Sequence, residues 1–188
     1  MKVLIYIPIL YLVLAMTGCS SSQKITREGV QAALEEEGYG APIIASVLNQ
    51  SYLQPGQVEK LLETTDTGIR VTLAGNTHLQ SGHLAPLVND ASDEVRAVVA
   101  QHPKLNQEQI ESLYNEASRK ISSSLARNAS VPEDILMKLR RIRKIDLIDF
   151  ALNPKCPEAI RKEILNSGDK KAIQWLKTND DARALAKN

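Results

Sequence analysis

Large apolar residues return along this chain at a fixed long interval. Val47, Leu73, Val99, Leu125, Phe150 and Trp175 stand 26, 26, 26, 25 and 25 residues apart. The column beside them runs Leu48, Ala74, Ala100, Ala126, Ala151, Leu176, and a polar column three positions after the first runs Gln50, Asn76, His102, Asn128, Asn153, Thr178. Columns that stay in phase over about 130 residues mark an internal repeat, in which each copy is one supersecondary unit.

The second half of each copy has its own pattern. Pro55, Ser81, Gln107, Pro132 and Pro157 are each followed three residues later by Val58, Leu84, Ile110, Ile135 and Ile160, then after four more by Leu62, Val88, Tyr114, Leu139 and Ile164. An i, i+4 pair lies on one face of a helix, and Pro or Ser just before it is a start signal. Each unit is therefore expected to be a short helix, an extended corner and a second helix of two to three turns. Neither helix can bury its apolar stripe alone, so the units must stack. The spacing predicts an all-α chain, an α-solenoid of about five two-helix repeats of 25–26 residues with a capping helix at each end. The organisation expected is a leader over 1–18, a tether over 19–25, an N-terminal capping helix over 26–40 and the repeats over 41–188, with the C-terminal cap from Lys171 onward. The Ala column lets adjacent short helices approach closely.

The units "VRAVVAQHPKL" and "FALNPKCPEAI" resemble the leucine-rich repeat variant family, relatives of HEAT and armadillo repeats with a pattern like V-R-x-x-[LV]-A-x-N-P-x-x-P. The resemblance covers about residues 41–179 and implies a right-handed superhelix of alternating α and 3₁₀-like helices. The sequence departs from the pattern at Thr77 and Ala129, where the Pro after the polar column is missing, and its Arg is present only at Arg70 and Arg96. A fold of this kind implies no particular chemistry.

The N-terminal stretch changes the picture. Lys2, an apolar run from Val3 to Ala15 and the small residues Thr17 and Gly18 precede Cys19. That run is too short for a membrane span, which takes roughly 20 apolar residues, and has the build of a secretory leader. Met16-Thr17-Gly18-Cys19 resembles the bacterial lipobox, with Met16 where the pattern prefers Leu. The resemblance implies diacylation of Cys19 after cleavage, and Ser20 in place of Asp implies outer-membrane sorting in a Gram-negative envelope, facing the periplasm. The tether from Cys19 to Thr26 would then reach about 25 Å at full stretch, so the domain would work close to its membrane.

Without Lys2 the rest of the chain holds 22 basic and 22 acidic residues. A balance near zero argues against nucleic acid as the main partner. With Cys19 acylated, Cys156 is the one thiol left, which excludes an internal disulfide and a Cys-ligated cluster. Cys156 takes the place of the apolar corner residues Leu53, Leu79, Leu105 and Val131, and a buried thiol is expected there. Five aromatics beyond the leader are too few for a stacking cleft.

No catalytic constellation assembles from this inventory, and no metal site or cofactor is expected. His78, His83 and His102 are the only histidines, and His102 belongs to the polar column, whose simplest role is to hydrogen-bond backbone at the corner. Ser167 to Lys170 spells S-x-x-K, but "NSGD" has the composition of a turn before the last helix. The conspicuous charge feature is "KLRRIRK", with Lys138, Arg140, Arg141, Arg143 and Lys144 in seven residues. One reading is a solvated helix C-terminus whose cations complement the macrodipole. The sharper one is a docking patch for an acidic protein, anionic lipid or lipopolysaccharide phosphate. The function expected is a membrane-anchored scaffold or assembly adaptor that binds an envelope protein. The alternatives are an accessory subunit or enzyme of an envelope hydrolase or secretion system, and a lipid- or lipopolysaccharide-binding lipoprotein.

Overall fold

The computed structural model describes the chain from residue 55 to residue 185. The leader, Cys19, the tether, the helix expected over 26–40 and the first unit's Val47, Leu48, Gln50 and Leu53 lie outside those residues. The described residues are all-helical: α1 (Pro55–Leu62), α2 (Thr67–Ala74), α3 (Ser81–Val88), α4 (Asp93–Val99), α5 (Gln107–Asn115), α6 (Arg119–Arg127), α7 (Glu133–Ile142), α8 (Leu147–Ala151), α9 (Glu158–Asn166) and α10 (Lys170–Leu185). None of these is long and apolar enough to cross a membrane.

The helix starts fall where the sequence places them, and short polar side chains hold them there. Asp66 accepts from the amides of Gly68 and Ile69, Ser92 from Glu94, and Ser118 from Ile121. Asn106 and Gln109 form a reciprocal capping box at α5, and Pro132 and Pro157 stand at the N-caps of α7 and α9. Capping matters here because helices of five to ten residues are too short to persist alone in water.

Packing joins most helices to the one two places along. The even-numbered helices touch in series, α2 to α4, α4 to α6, α6 to α8 and α8 to α10, while α1 meets α3 and α3 meets α5. The columns explain this. Leu73, Val99, Leu125 and Phe150 are completely buried, as are Ala74, Ala100, Ala126 and Ala151. At the end of each of these helices a large side chain followed by alanine fills the interior while letting the next backbone close in, and Val95 and Ile121 are buried a turn earlier on α4 and α6. On the odd-numbered helices Val58, Leu84, Ile110, Ile135 and Ile160 are buried, and the corner residues Leu79, Leu105, Val131 and Cys156 seal the space between the two helices of a unit.

The last column needs correction. Trp175, expected in the large apolar column, is 48 % exposed, whereas Leu176 is buried beside Ala172. Thr178, expected in the polar column, spends its hydroxyl on Gln174 O four residues back within α10. Asn179 instead makes the polar-column bond, donating to Ala151 O at 2.7 Å. Leu176 and Asn179 keep the three-residue offset of Leu125 and Asn128, so the final interval is 26 and the register slips by one. The physical reason is that α10 runs unbroken for 16 residues. It has no corner, and the corner carries the alignable signature.

Candidate partner-binding surface

The polar column is the most regular feature of the fold. Asn128 Nδ2 donates to Ala100 O (2.9 Å) and His102 O (3.1 Å), and Asn153 Nδ2 donates to Ala126 O (2.9 Å) and Asn128 O (3.0 Å). Each Oδ1 then accepts the amide two residues on, Ser130 for Asn128, Lys155 for Asn153 and His78 for Asn76. One amide side chain thus closes the corner after its own even-numbered helix through Oδ1 and, through Nδ2, satisfies carbonyls at the same place in the preceding unit. Its donors and acceptor are all used, as a fully buried amide requires.

His102 reproduces the pattern with a ring. Its Nε2 donates to Asn76 O at 3.1 Å, and its Nδ1 accepts from Lys104 N at 3.2 Å. Those two bonds fix the neutral tautomer. Burial lowers the His102 pKa below its ordinary 6.5, partly offset by the Asn76 carbonyl and reinforced by the charge of Lys104. His83 closes the capping box at the start of α3, its Nδ1 accepting from Gln80 N. Among the described residues no three His, Cys, Asp or Glu side chains converge as metal ligands do.

The S-x-x-K stretch is a turn. Ser167 ends α9 and donates its hydroxyl to Ile164 O, Gly168 follows with φ +73°, and the Asp169 carboxylate accepts from the amides of Lys171 and Ala172 at the start of α10. Cys156 is buried.

The basic segment divides. Arg140 is half-buried, forks onto Glu163 of α9 and donates to Ile145 O at 2.9 Å. The hydrogen bond from Arg140 holds the Glu163 carboxyl below the usual range, and Glu163 in turn raises the Arg140 pKa. Arg143 reaches back to α5, donating to Ala117 O (2.9 Å) and Tyr114 O (2.8 Å), with its guanidinium 5.3 Å from the Tyr114 ring centre. It caps a neighbouring helix's orphan carbonyls with charge-assisted bonds. Lys138 pairs with Asp134 one turn earlier in its own helix, at the surface. Arg141 and Lys144 are exposed, and between them Ile142 is 68 % exposed. Of the five cations, then, two hold the fold together and two stand in solvent around an exposed isoleucine.

Sequence reading missed the ion pairs that join other units. Arg70 of α2 binds Asp90 with side chains only 14 % and 8 % exposed, and Asp90 also accepts from Ser92 N. Burial would raise the Asp90 pKa, but the Arg70 hydrogen bond, the Ser92 amide and the charges of Arg70 and Arg96 outweigh it and lower it. Arg96 donates to Asp90 O and to Asp93. The two units that carry the repeat's arginine, Ile69-Arg70 and Val95-Arg96, therefore meet at one aspartate, a convergence hidden by the 20 residues between Arg70 and Asp90. Arg127 and the buried Asp149 form a further pair across α6 and α8, at 2.5 Å.

An open groove of about 260 Å³ runs between α3 and α5, with Gly82, Ala85 and Ser112 along it and Gln109 at its end. Gln109 is held there, donating to Ser81 O and accepting from Ser81 Oγ and Asn106 N. No protein-family profile, no curated protein and no solved structure matches this chain.

Proposed function

We propose that this protein is a lipid-anchored α-solenoid of the bacterial envelope, acylated at Cys19 and acting as a scaffold or assembly adaptor for a protein partner. The observation that carries the proposal is the series of side-chain bonds at the corners, which join residues 25–28 positions apart and repeat from one unit to the next. A stack built this way offers long side faces rather than one deep pocket, and such faces suit extended partners. The right-handed superhelix of the leucine-rich repeat variant family is the form this reading takes. It assigns no catalytic residue and no cofactor.

The exposed part of the basic segment, Arg141 and Lys144 flanking Ile142, supports a second reading: contact with anionic lipid or lipopolysaccharide phosphate, as cations around an apolar residue suit an interface. Crosslinking in cells followed by capture from solubilised envelopes tests both. One dominant protein, lost in Cys19→Ala, is the outcome expected of the scaffold. Capture of lipid or cell-wall material alone, weakened by Arg141→Glu with Lys144→Asn and by salt, would give the second reading the place of the first. Arg140 and Arg143 are unsuited to this test, because reversing either would strike the fold.

A further inference from the structure

The groove between α3 and α5 has one wall whose sequence the packing does not explain. α3 is eight residues long, yet it holds Gly82 and Pro86, the two residue types that cost a helix most. A Cβ built on Gly82 meets nothing within 4 Å, so no neighbouring atom requires glycine there, and the residue lies exposed on the groove. Pro86 has no N–H, which deprives the Gly82 carbonyl of the donor a helix supplies four residues on. A local rule broken with no gain in packing points to use.

The facing helix keeps hydrogen-bonding capacity unspent. Gln109 is 7 % exposed, and of its two Nε2 hydrogens one goes to Ser81 O while the other has no acceptor among the described residues. A buried amide hydrogen left over calls for an oxygen from outside. Glu108, exposed on the same groove, has no ion pair or side-chain hydrogen bond to any described residue. Neither α3 nor α5 carries a lysine or arginine, Glu111 accepts from Gln107, and Lys104, just before α5, donates its ammonium to His78 O. The groove thus combines a buried donor, an uncompensated carboxylate and open space over Gly82.

We propose that this groove holds an extended segment of the partner protein that carries a lysine or arginine. A main-chain carbonyl of the segment accepts the free Gln109 hydrogen, its backbone passes close over Gly82 where no side chain stands, and its basic side chain meets Glu108. The proposal rests on the scaffold reading and supplies it with a face and a partner chemistry, both separate from the basic segment of α7.

The empty space over Gly82 makes a clean test. Gly82→Leu fills the groove without touching the core and should not lower Tm, since leucine is the better helix former. The full chain in detergent is titrated with dye-labelled decapeptides of glycine and serine around one central Arg, Gln or Glu, read by fluorescence anisotropy. The arginine peptide should bind saturably, about tenfold more weakly to Glu108→Gln and not at all to Gly82→Leu. No saturable binding of the arginine peptide, equal binding of the glutamate peptide, or binding that survives Gly82→Leu overturns the site. Capture from envelopes separates the two levels. A partner lost with Gly82→Leu supports the groove, and one still caught by that variant leaves the scaffold standing and removes the groove. If the unaltered chain catches no partner, the scaffold reading falls and the peptide titration decides the groove by itself.

Discussion

The corner edge and the far end of α7 solve the same problem with different chemistry. At the corners, neutral amides satisfy backbone carbonyls of the preceding unit, and each side chain is buried with its hydrogen-bonding capacity spent. At the end of α7, Arg143 does the equivalent work with a charge, reaching the orphan carbonyls at the end of α5 from a half-exposed position. The corner device recurs in unit after unit, whereas the arginine device is local to α5 and α7. A neutral amide costs less to bury than an ion, which explains why the repeated device is the amide.

Breaking a corner rung should therefore have the largest effect. Asn128→Ala removes two donors and one acceptor from a fully buried place and leaves Ala100 O and His102 O without that partner. A loss of about 3 kcal/mol is expected, read from urea unfolding monitored by circular dichroism. A loss below about 1 kcal/mol would mean that water enters the corner and replaces the amide, and the two edges would then differ little.

How much of this was legible follows from the same contrast. Asn76, Asn128, Asn153 and the alanines beside them were visible because every unit needs them, and a need that repeats leaves a column. The helix starts and the apolar stripes of the odd-numbered helices were visible for the same reason. Trp175 and Thr178 were misplaced because α10 dispenses with the corner that defines the phase. The pairs Arg70–Asp90, Arg127–Asp149 and Arg140–Glu163 left no column, as each joins two units once at separations of 20, 22 and 23 residues. "KLRRIRK" looked like one surface patch because composition cannot tell an arginine facing a helix end from one facing solvent.

The arginine side of the comparison is sharpened by Arg143→Met, which keeps the stem's packing and removes the charge-assisted bonds to Tyr114 O and Ala117 O. About 2 kcal/mol should be lost in urea unfolding. Arg143→Lys should recover less than half of it, since one ammonium cannot span both carbonyls as the planar fork does. Full recovery by lysine would show that only charge near the end of α5 matters.

His102 sits between the two chemistries, a titratable group in a neutral rung. Its folded-state pKa is lowered, so the stability it contributes is present above about 6.5 and lost as pH falls below that value. Protonation would set an N–H against the amide of Lys104. Asp90 and Glu163, whose pKa values are also lowered, begin to cost stability only further into acid, near their ordinary 3.8 and 4.5. Between pH 7.5 and 5.5 the wild-type midpoint in urea should fall. His102→Asn, which restores the side chain of the neighbouring rungs, should change stability at pH 7.5 by no more than about 1 kcal/mol and flatten that fall. An equal fall in the variant would move the acid sensitivity elsewhere.

The smallest effect expected is a gain, at the end of α7. Lys144 directly follows the C-cap Arg143 and has φ +52°, just as Gly168 directly follows the C-cap Ser167 of α9 with φ +73°. Both helices stop by the same left-handed step, which glycine makes without strain and a side chain with Cβ does not. Lys144 is exposed, so glycine there loses no packing. Lys144→Gly should stabilise the protein by about 0.5–1 kcal/mol, the relief of strain exceeding the entropy that glycine adds to the unfolded chain. Thermal unfolding would show it as a small rise in Tm. A fall would mean that the lysine's charge at the helix C-terminus outweighs its strained backbone, and the end of α7 would then depend on ions even where its side chains face solvent.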